Sequence, residues 1–203
     1  MANLITLSRF PLLLIYVLVL YYGGATALFF CIPLVILIFL MDSADGYVAR
    51  SRGEASLVGS VLDIATDRTL EIVLWMVYSD LRLIPVVIPL IAIVRGTMVD
   101  AIRSMGVRQG VAAFAQVQHP ISQFLVSSRL MRNLYGVAKA LAFVILTLVL
   151  ALSRQNSPLT PGFHSLALIL SWASIFMTVV RGLPVLVEGY SLLANKQIDV
   201  QQT

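Results

Sequence analysis

The feature that most constrains the fold is a series of long apolar runs separated by short polar turns. Of the 203 residues, 59% are apolar and only 12% are charged, and the mean hydropathy is +0.93, far above that of an ordinary soluble domain. Because a lipid bilayer offers the backbone no hydrogen-bonding partner, such runs cross it as helices. We therefore predict an all-α fold, a polytopic membrane helical bundle that forms a single domain over residues 1–203. The six predicted transmembrane helices cover residues 10–22, 25–41, 57–78, 86–103, 134–152 and 163–187.

The N-terminal residues 1–9 are too short and too polar to form a span, and they predict a short interfacial helix before the first one. Six spans would place both termini on the same side of the membrane. Of the 14 Lys and Arg residues, only Arg82 and Arg154 would then lie on the opposite side. The positive-inside rule therefore predicts that both termini are cytoplasmic.

Charge and cysteine content argue against two other classes of protein. The net charge of +4 is explained by the excess of Lys and Arg on the predicted cytoplasmic side. Because no basic cluster is interleaved with aromatic residues, we expect no nucleic-acid partner. Cys31 is the single cysteine, which excludes an intramolecular disulfide, and the Cys/His spacing of a zinc site is absent from the sequence.

Charged residues concentrate in residues 42–67, DSADGYVARSRGEASLVGSVLDIATD, which we call the signature stretch. Its four aspartates lie between two apolar runs, where charge is costly unless a metal, a partner or a polar cavity satisfies it. On a helix, Asp42 and Asp45 would lie on adjoining faces, and Asp63 and Asp67 would share one face. Two acidic pairs at facing helix ends supply the oxygen ligands that Mg²⁺ or Mn²⁺ prefers. The stretch therefore predicts a divalent-metal site.

The spacing D-x2-D-G-x2-A-R-x8-G-x3-D-x3-D also resembles the signature of the CDP-alcohol phosphatidyltransferases, integral-membrane enzymes of phospholipid synthesis. The resemblance implies transfer of a phosphatidyl group from CDP-diacylglycerol to a small polar alcohol, with release of CMP, by a homodimer among membrane lipids. Some members instead transfer a phospho-alcohol from a CDP-alcohol to a lipid. The opening N-x2-T-x-S-R, which ends at Arg9, is similar to the start of several bacterial members, and a simple charged anchor explains it equally well. Eight positions match the signature: Asp42, Asp45, Gly46, Ala49, Arg50, Gly59, Asp63 and Asp67.

The resemblance implies a role for each matched position. Asp42, Asp45 and Asp63 would be the principal metal ligands. Asp67 would also contact the metal, and it would be the catalytic general base that takes the proton from the attacking hydroxyl. The alternative is a polar hairpin in which the aspartates only form ion pairs with nearby arginines. The residues that would bind CDP are Asp45, Gly46, Ala49, Arg50 and Gly59.

The acceptor alcohol is less constrained by the sequence. Arg95, Arg103 and Lys139 are cations on the predicted cytoplasmic side that could bind an acceptor phosphate, and snorkelling to lipid phosphates is the alternative. The sequence motifs R-x3-V-x3-R and G-x2-K, which contain these cations, resemble those of the phosphatidylglycerophosphate synthase branch. This resemblance implies glycerol 3-phosphate as the acceptor. An Asp-Arg pair followed by an acid at Glu71 resembles instead the branch that uses inositol phosphate. Both of these acceptors stay open, and so does another alcohol.

A second class of protein also stays open, an ion-coupled transporter in which Asp63, Asp67 and Glu71 relay a cation within the membrane. Such a transporter would carry its acids near the middle of the bilayer and would show two repeated halves. Here the acids lie toward the predicted cytoplasmic ends, and the second half of the sequence contains no copy of the signature stretch. We therefore expect an enzyme with a cytoplasmic active site in a bacterial inner membrane.

Overall fold

The structure, a computed structural model, describes residues 2–51, 57–108 and 120–201. Within these residues the chain forms seven helices and no strand, which confirms the predicted all-α class. The helices are α1 (Ala2–Tyr22), α2 (Ala25–Ser51), α3 (Leu57–Asp80), α4 (Val87–Arg108), α5 (Pro120–Ser127), α6 (Arg129–Arg154) and α7 (Thr160–Gln201).

The chain separates into two compact units. The first comprises residues 1–89 and 139–171, and the second comprises residues 90–138 and 172–203. Helices α6 and α7 each contribute residues to both units. The single domain over the whole chain stays a prediction.

In the first unit, α1 packs against α2 and α3. The inward positions of α1 follow the helical repeat, since Leu13, Tyr16 and Leu20 are buried while Leu14 and Leu18 are exposed. A helix that is apolar on both its packed and its outer face is typical of a membrane bundle. The facing positions follow the same repeat: Leu28, Cys31, Val35 and Ile38 on α2, and Leu70, Leu74 and Tyr78 on α3.

A cluster of buried hydroxyl groups connects α1, α3 and α6. The Tyr16 hydroxyl lies 2.6 Å from that of Tyr78 and 2.5 Å from Oγ1 of Thr147, and the oxygens of Tyr78 and Thr147 are 2.8 Å apart. The hydroxyl groups of Tyr78 and Thr147 also donate to the carbonyl oxygen of Phe143, at 3.1 Å and 2.7 Å respectively. Because a buried polar group without a partner is costly, these contacts favour one mutual register of the three helices.

Arg154, the last residue of α6, binds the end of α1. Its Nη2 donates to the carbonyl oxygens of Leu20 and Tyr21 at 2.8 and 3.0 Å, and its Nη1 donates to that of Gly23. The last carbonyl groups of a helix have no partner within the helix. Arg154 therefore supplies the donors that the end of α1 lacks.

In the second unit, α4, α5 and α7 share a small apolar core of Val99, Val126 and Val185. Arg181 on α7 donates from Nε to the carbonyl oxygen of Leu125 at 3.2 Å and from Nη2 to that of Val126 at 3.4 Å. These carbonyl groups lie at the end of α5, so Arg181 caps this short helix.

Six of the seven described helices overlap the predicted spans, and α1, α2 and α7 extend well beyond them, while α5 lies in the polar segment between the fourth and fifth. Among the described residues, the segments Leu130–Arg154 and Thr160–Glu188 are long and apolar enough to cross a membrane. Two shorter apolar segments are Thr6–Tyr22 and Ala25–Met41. Six transmembrane helices therefore stay a prediction.

The N-terminal segment differs from the expectation of a separate interfacial helix. Helix α1 runs without interruption from Ala2 to Tyr22, with Pro11 inside it. Since no glycine occurs in this range and membrane helices tolerate an internal proline, no residue breaks the helix between the polar residues 2–9 and the apolar run.

Candidate functional site

The two aspartates of α3 lie on one face of the helix, as their spacing predicts. Because α3 begins at Leu57, Gly59, Asp63 and Asp67 stand at successive turns, and Glu71 continues the row. The side chains of Asp63 and Asp67 are 42% and 44% exposed, whereas that of Glu71 is 6% exposed. The accessible carboxylates are therefore the two nearer the start of α3.

The guanidinium group of Arg9 bridges these two carboxylates. Its Nη1 donates to Oδ1 of Asp67 at 2.8 Å, and its Nη2 donates to Oδ1 of Asp63 at 3.1 Å. The Arg9 side chain is fully buried, and it lies on α1, 58 and 54 residues from its two partners in the sequence. Helices α1 and α3 are thus joined at this site by two charge-assisted hydrogen bonds, which are stronger than neutral ones.

Arg9 is a residue that the sequence-based assignment of the site misses. The signal that marks it is the opening N-x2-T-x-S-R, in which Thr6 precedes Arg9 by one helical turn and is also buried. An arginine that only anchors a helix extends its charged group to water or lipid phosphates. The charged group of Arg9 instead faces two acids inside the first unit.

Glu71 lies at the buried end of the row and contacts two cations. Its Oε2 accepts a hydrogen bond from Nζ of Lys139 at 3.2 Å and lies 3.7 Å from Nη1 of Arg68. The same Nζ lies 5.9 Å from the ring centroid of Phe39, within cation–π distance. Lys139, a predicted ligand of the acceptor phosphate, therefore contacts a carboxylate in this structure.

The other half of the signature stretch lies at the end of α2. This helix extends to Ser51, beyond the predicted end of the span at residue 41. A helical backbone places residues 42 and 45 on adjoining faces, as the spacing predicts. Five predicted site residues have a helical backbone here, and their side chains lie outside the described residues: Asp42, Asp45, Gly46, Ala49 and Arg50.

The described carboxylates suit a divalent metal ion in their chemistry. Asp63 and Asp67 supply accessible oxygens one turn apart, and Mg²⁺ commonly binds through one or two carboxylates together with substrate phosphates. Among the side chains that the structure describes, no group of three or more Asp, Glu, His or Cys residues forms a metal site. The four-aspartate metal site and the metal dependence stay predictions.

The remaining predicted acceptor cations, Arg95 and Arg103, lie two turns apart on α4, in the second unit. Arg95 packs against α7 at Gly182, where an added Cβ would lie 2.9 Å from Cγ and 3.2 Å from Cδ of the arginine. The missing side chain at Gly182 therefore leaves room for the arginine stem. Arg95 also lines a cavity of about 310 Å³, whose other lining residues are Leu90, Ile91, Val94, Met98, Val179, Leu183 and Leu186.

Comparison with known proteins identifies one family. The profile of the CDP-alcohol phosphatidyltransferases matches residues 1–180, a range that includes the signature stretch, Arg9 and Lys139. The comparison with curated proteins gave no match. The family consists of membrane-integral enzymes of phospholipid biosynthesis that use a CDP-alcohol substrate and an alcohol acceptor and that generally depend on a divalent metal. Because the match extends over most of the chain, the protein belongs to the CDP-alcohol phosphatidyltransferase family.

Proposed function

We propose that the protein transfers the phosphatidyl group of CDP-diacylglycerol to glycerol 3-phosphate, which forms phosphatidylglycerophosphate and releases CMP. Family membership supports the general reaction. The observation that carries the assignment of the site is the accessible pair of carboxylates, Asp63 and Asp67, on one face of α3.

The reaction is a direct displacement at phosphorus. The acceptor hydroxyl oxygen forms a bond to the phosphorus of the phosphatidyl group, and the bond from that phosphorus to the bridging oxygen of the pyrophosphate breaks. CMP leaves with the electron pair of the broken bond, and the hydroxyl proton passes to the carboxylate of Asp67. The Asp67 side chain suits this role because it remains 44% exposed although Arg9 holds its Oδ1.

All four aspartates of the signature stretch would hold a divalent ion. Asp42 and Asp45 at the end of α2, with Asp63 and Asp67 on α3, are the proposed ligands of Mg²⁺ or Mn²⁺. Such an ion neutralises the negative charge that develops on the pyrophosphate. The proposed CDP-binding residues combine small side chains, which leave room for the cytidine, with an arginine for a phosphate: Asp45, Gly46, Ala49, Arg50 and Gly59.

For the acceptor phosphate we assign Arg95 and Arg103, with Lys139 as a third cation. A planar guanidinium group binds two oxygens of a phosphate at once, and Arg95 and Arg103 lie two turns apart on α4. Lys139 already donates a hydrogen bond to Glu71, so it would have to contact the carboxylate and the acceptor phosphate at the same time.

A sequence resemblance around Glu71 offers inositol phosphate as a second candidate acceptor. Glu71 lies within 4 Å of both Arg68 and Lys139. An acid at this position after an Asp-Arg pair resembles the branch of the family that uses inositol phosphate. The two candidates share the chemistry and differ in the alcohol.

We also propose that the helices form six membrane spans, with both termini and the active site on the cytoplasmic side of a bacterial inner membrane. The distribution of Lys and Arg supports this orientation, and so does the cytoplasmic origin of nucleotide-activated lipids. We propose a homodimer as the assembly. Exposed apolar side chains such as Leu14 and Phe30 suit contact with lipid or with a second copy of the chain.

Release of CMP from CDP-diacylglycerol by the purified protein in detergent tests the reaction. Glycerol 3-phosphate, inositol phosphate, inositol and serine are offered separately, with Mg²⁺ or Mn²⁺ and with EDTA. Of the four acceptors, we expect only glycerol 3-phosphate to cause release of CMP, and we expect EDTA to abolish this release.

The other outcomes separate the alternatives. Release with inositol phosphate alone would replace the proposed acceptor and keep the site. Binding of CDP-diacylglycerol without release would contradict all four acceptors. The absence of CDP-lipid binding, together with cation flux into proteoliposomes, would support an ion-coupled transporter.

A further inference from the structure

The contact between Arg9 and the two carboxylates has an asymmetric geometry. The Arg9 side chain is 0% exposed, whereas those of Asp63 and Asp67 are 42% and 44% exposed. The guanidinium group therefore approaches the carboxylates from the protein interior, and their remaining surface faces away from it.

The two nitrogens of Arg9 divide their contacts between the two acids. One donates to Oδ1 of Asp67 and the other to Oδ1 of Asp63, at 2.8 and 3.1 Å. A rigid fork of this kind fixes two oxygens relative to each other, which a single-point ammonium group cannot do. Two adjacent carboxylates would otherwise repel each other, and the positive charge between them offsets that repulsion.

We propose that Arg9 is a positioning residue for the metal-binding carboxylates. It holds Asp63 and Asp67 from behind, so that their accessible sides are oriented for a divalent ion before the ion arrives. This inference rests on the proposed function, which assigns both aspartates to the metal. It makes the first turns of α1 a part of the active site, although Arg9 itself touches neither the ion nor the substrate.

Binding of Mn²⁺ to the purified protein, measured by thermal stabilisation and by electron paramagnetic resonance, tests the proposal without any substrate. Arg9→Gln removes the charge and the fork. We expect it to raise the Mn²⁺ concentration for half-maximal binding roughly ten-fold, the effect typical of losing a residue that orients metal ligands. Arg9→Lys should give a smaller increase, because a lysine restores the charge and bridges the acids less well.

Arg154→Gln is the matched control. Arg154 also binds α1 from another helix, and the acceptors described for it are backbone carbonyl oxygens. We expect this variant to lower the thermal stability and to leave the Mn²⁺ dependence unchanged.

Two results would overturn the role of Arg9. An Mn²⁺ dependence in Arg9→Gln and Arg9→Lys equal to that of the unsubstituted protein would make Arg9 a structural ion pair only. Tighter Mn²⁺ binding in Arg9→Gln would mean that the guanidinium competes with the ion. Failure of the proposed metal site is distinguishable from failure of the role of Arg9. In that case Mn²⁺ would bind the unsubstituted protein and Asp63→Asn with equal affinity, or it would bind neither protein.

Discussion

The Nζ atom of Lys139 lies 3.2 Å from Oε2 of Glu71, and the two side chains, 68 residues apart in the sequence, are only 13% and 6% exposed. Removal of one member of a buried ion pair leaves the other charge without compensation. Glu71→Gln should therefore lower the free energy of unfolding by about 3 kcal/mol.

Thermal or denaturant unfolding in detergent measures this loss. The control is the double variant Glu71→Gln with Lys139→Met, which removes both charges. Because the two residues are in contact, we expect the double variant to lose less stability than the sum of the single variants. Additive losses would mean that the contact contributes little to stability.

Gly182→Ala should impair acceptor binding through Arg95. The added Cβ would lie 2.9 Å from Cγ of the arginine, closer than side chains tolerate, so the stem of Arg95 must move. We expect the KM for glycerol 3-phosphate to rise roughly ten-fold, because displacement of a positioning group by about 1 Å is costly. Steady-state kinetics should show an unchanged KM for CDP-diacylglycerol.

Gly162→Ala is the matched control for this substitution. Gly162 also lies in α7, and an added Cβ there meets no heavy atom within 4 Å. Both substitutions replace a helical glycine by alanine, and they differ in the contact with Arg95. An unchanged KM for CDP-diacylglycerol in Gly182→Ala shows that a selective loss of acceptor binding does not result from unfolding. Equal kinetics in the two variants would contradict the acceptor role of Arg95.

Asp67→Asn should abolish turnover and preserve binding of CDP-diacylglycerol. An amide cannot accept the hydroxyl proton, and loss of a general base costs roughly 100-fold or more in kcat. CMP release and CDP-lipid binding by the same preparation separate the two effects. Loss of CDP-lipid binding would instead make Asp67 mainly a metal ligand.

Asp80→Asn provides the control on the same helix. Asp80 is the last residue of α3, and its Oδ2 accepts a hydrogen bond from the Tyr21 hydroxyl at 2.6 Å. It lies three turns beyond Asp67, so we expect this variant to retain turnover.

Thr147→Val should lower the free energy of unfolding by about 1–3 kcal/mol, because it removes a partner of the buried Tyr16 and Tyr78 hydroxyl groups. Thr97→Val is the control, since Thr97 is exposed and its hydroxyl donates to carbonyl oxygens of its own helix. Unfolding in detergent should show a small change for Thr97→Val, and equal losses would contradict a special role of the hydroxyl cluster.

The local features of the site could be read from the sequence because helical spacing is a local property. The four-residue spacing of Gly59, Asp63 and Asp67 places them on one face of any helix that contains them, and α3 shows this arrangement. The all-α class follows similarly from the length of the apolar runs, because a backbone in lipid must satisfy its own hydrogen bonds.

Only the tertiary structure decided which charges meet. The sequence suggested Lys139 as a phosphate ligand and Arg9 as a family feature or an anchor, whereas packing places Lys139 against Glu71 and Arg9 between Asp63 and Asp67. The helical repeat determines which face of a helix a residue occupies, and it carries no information about the helix that this face meets. Contacts between residues 54 to 68 positions apart depend on how α1, α3 and α6 pack, and the sequence pattern of one helix does not specify that packing.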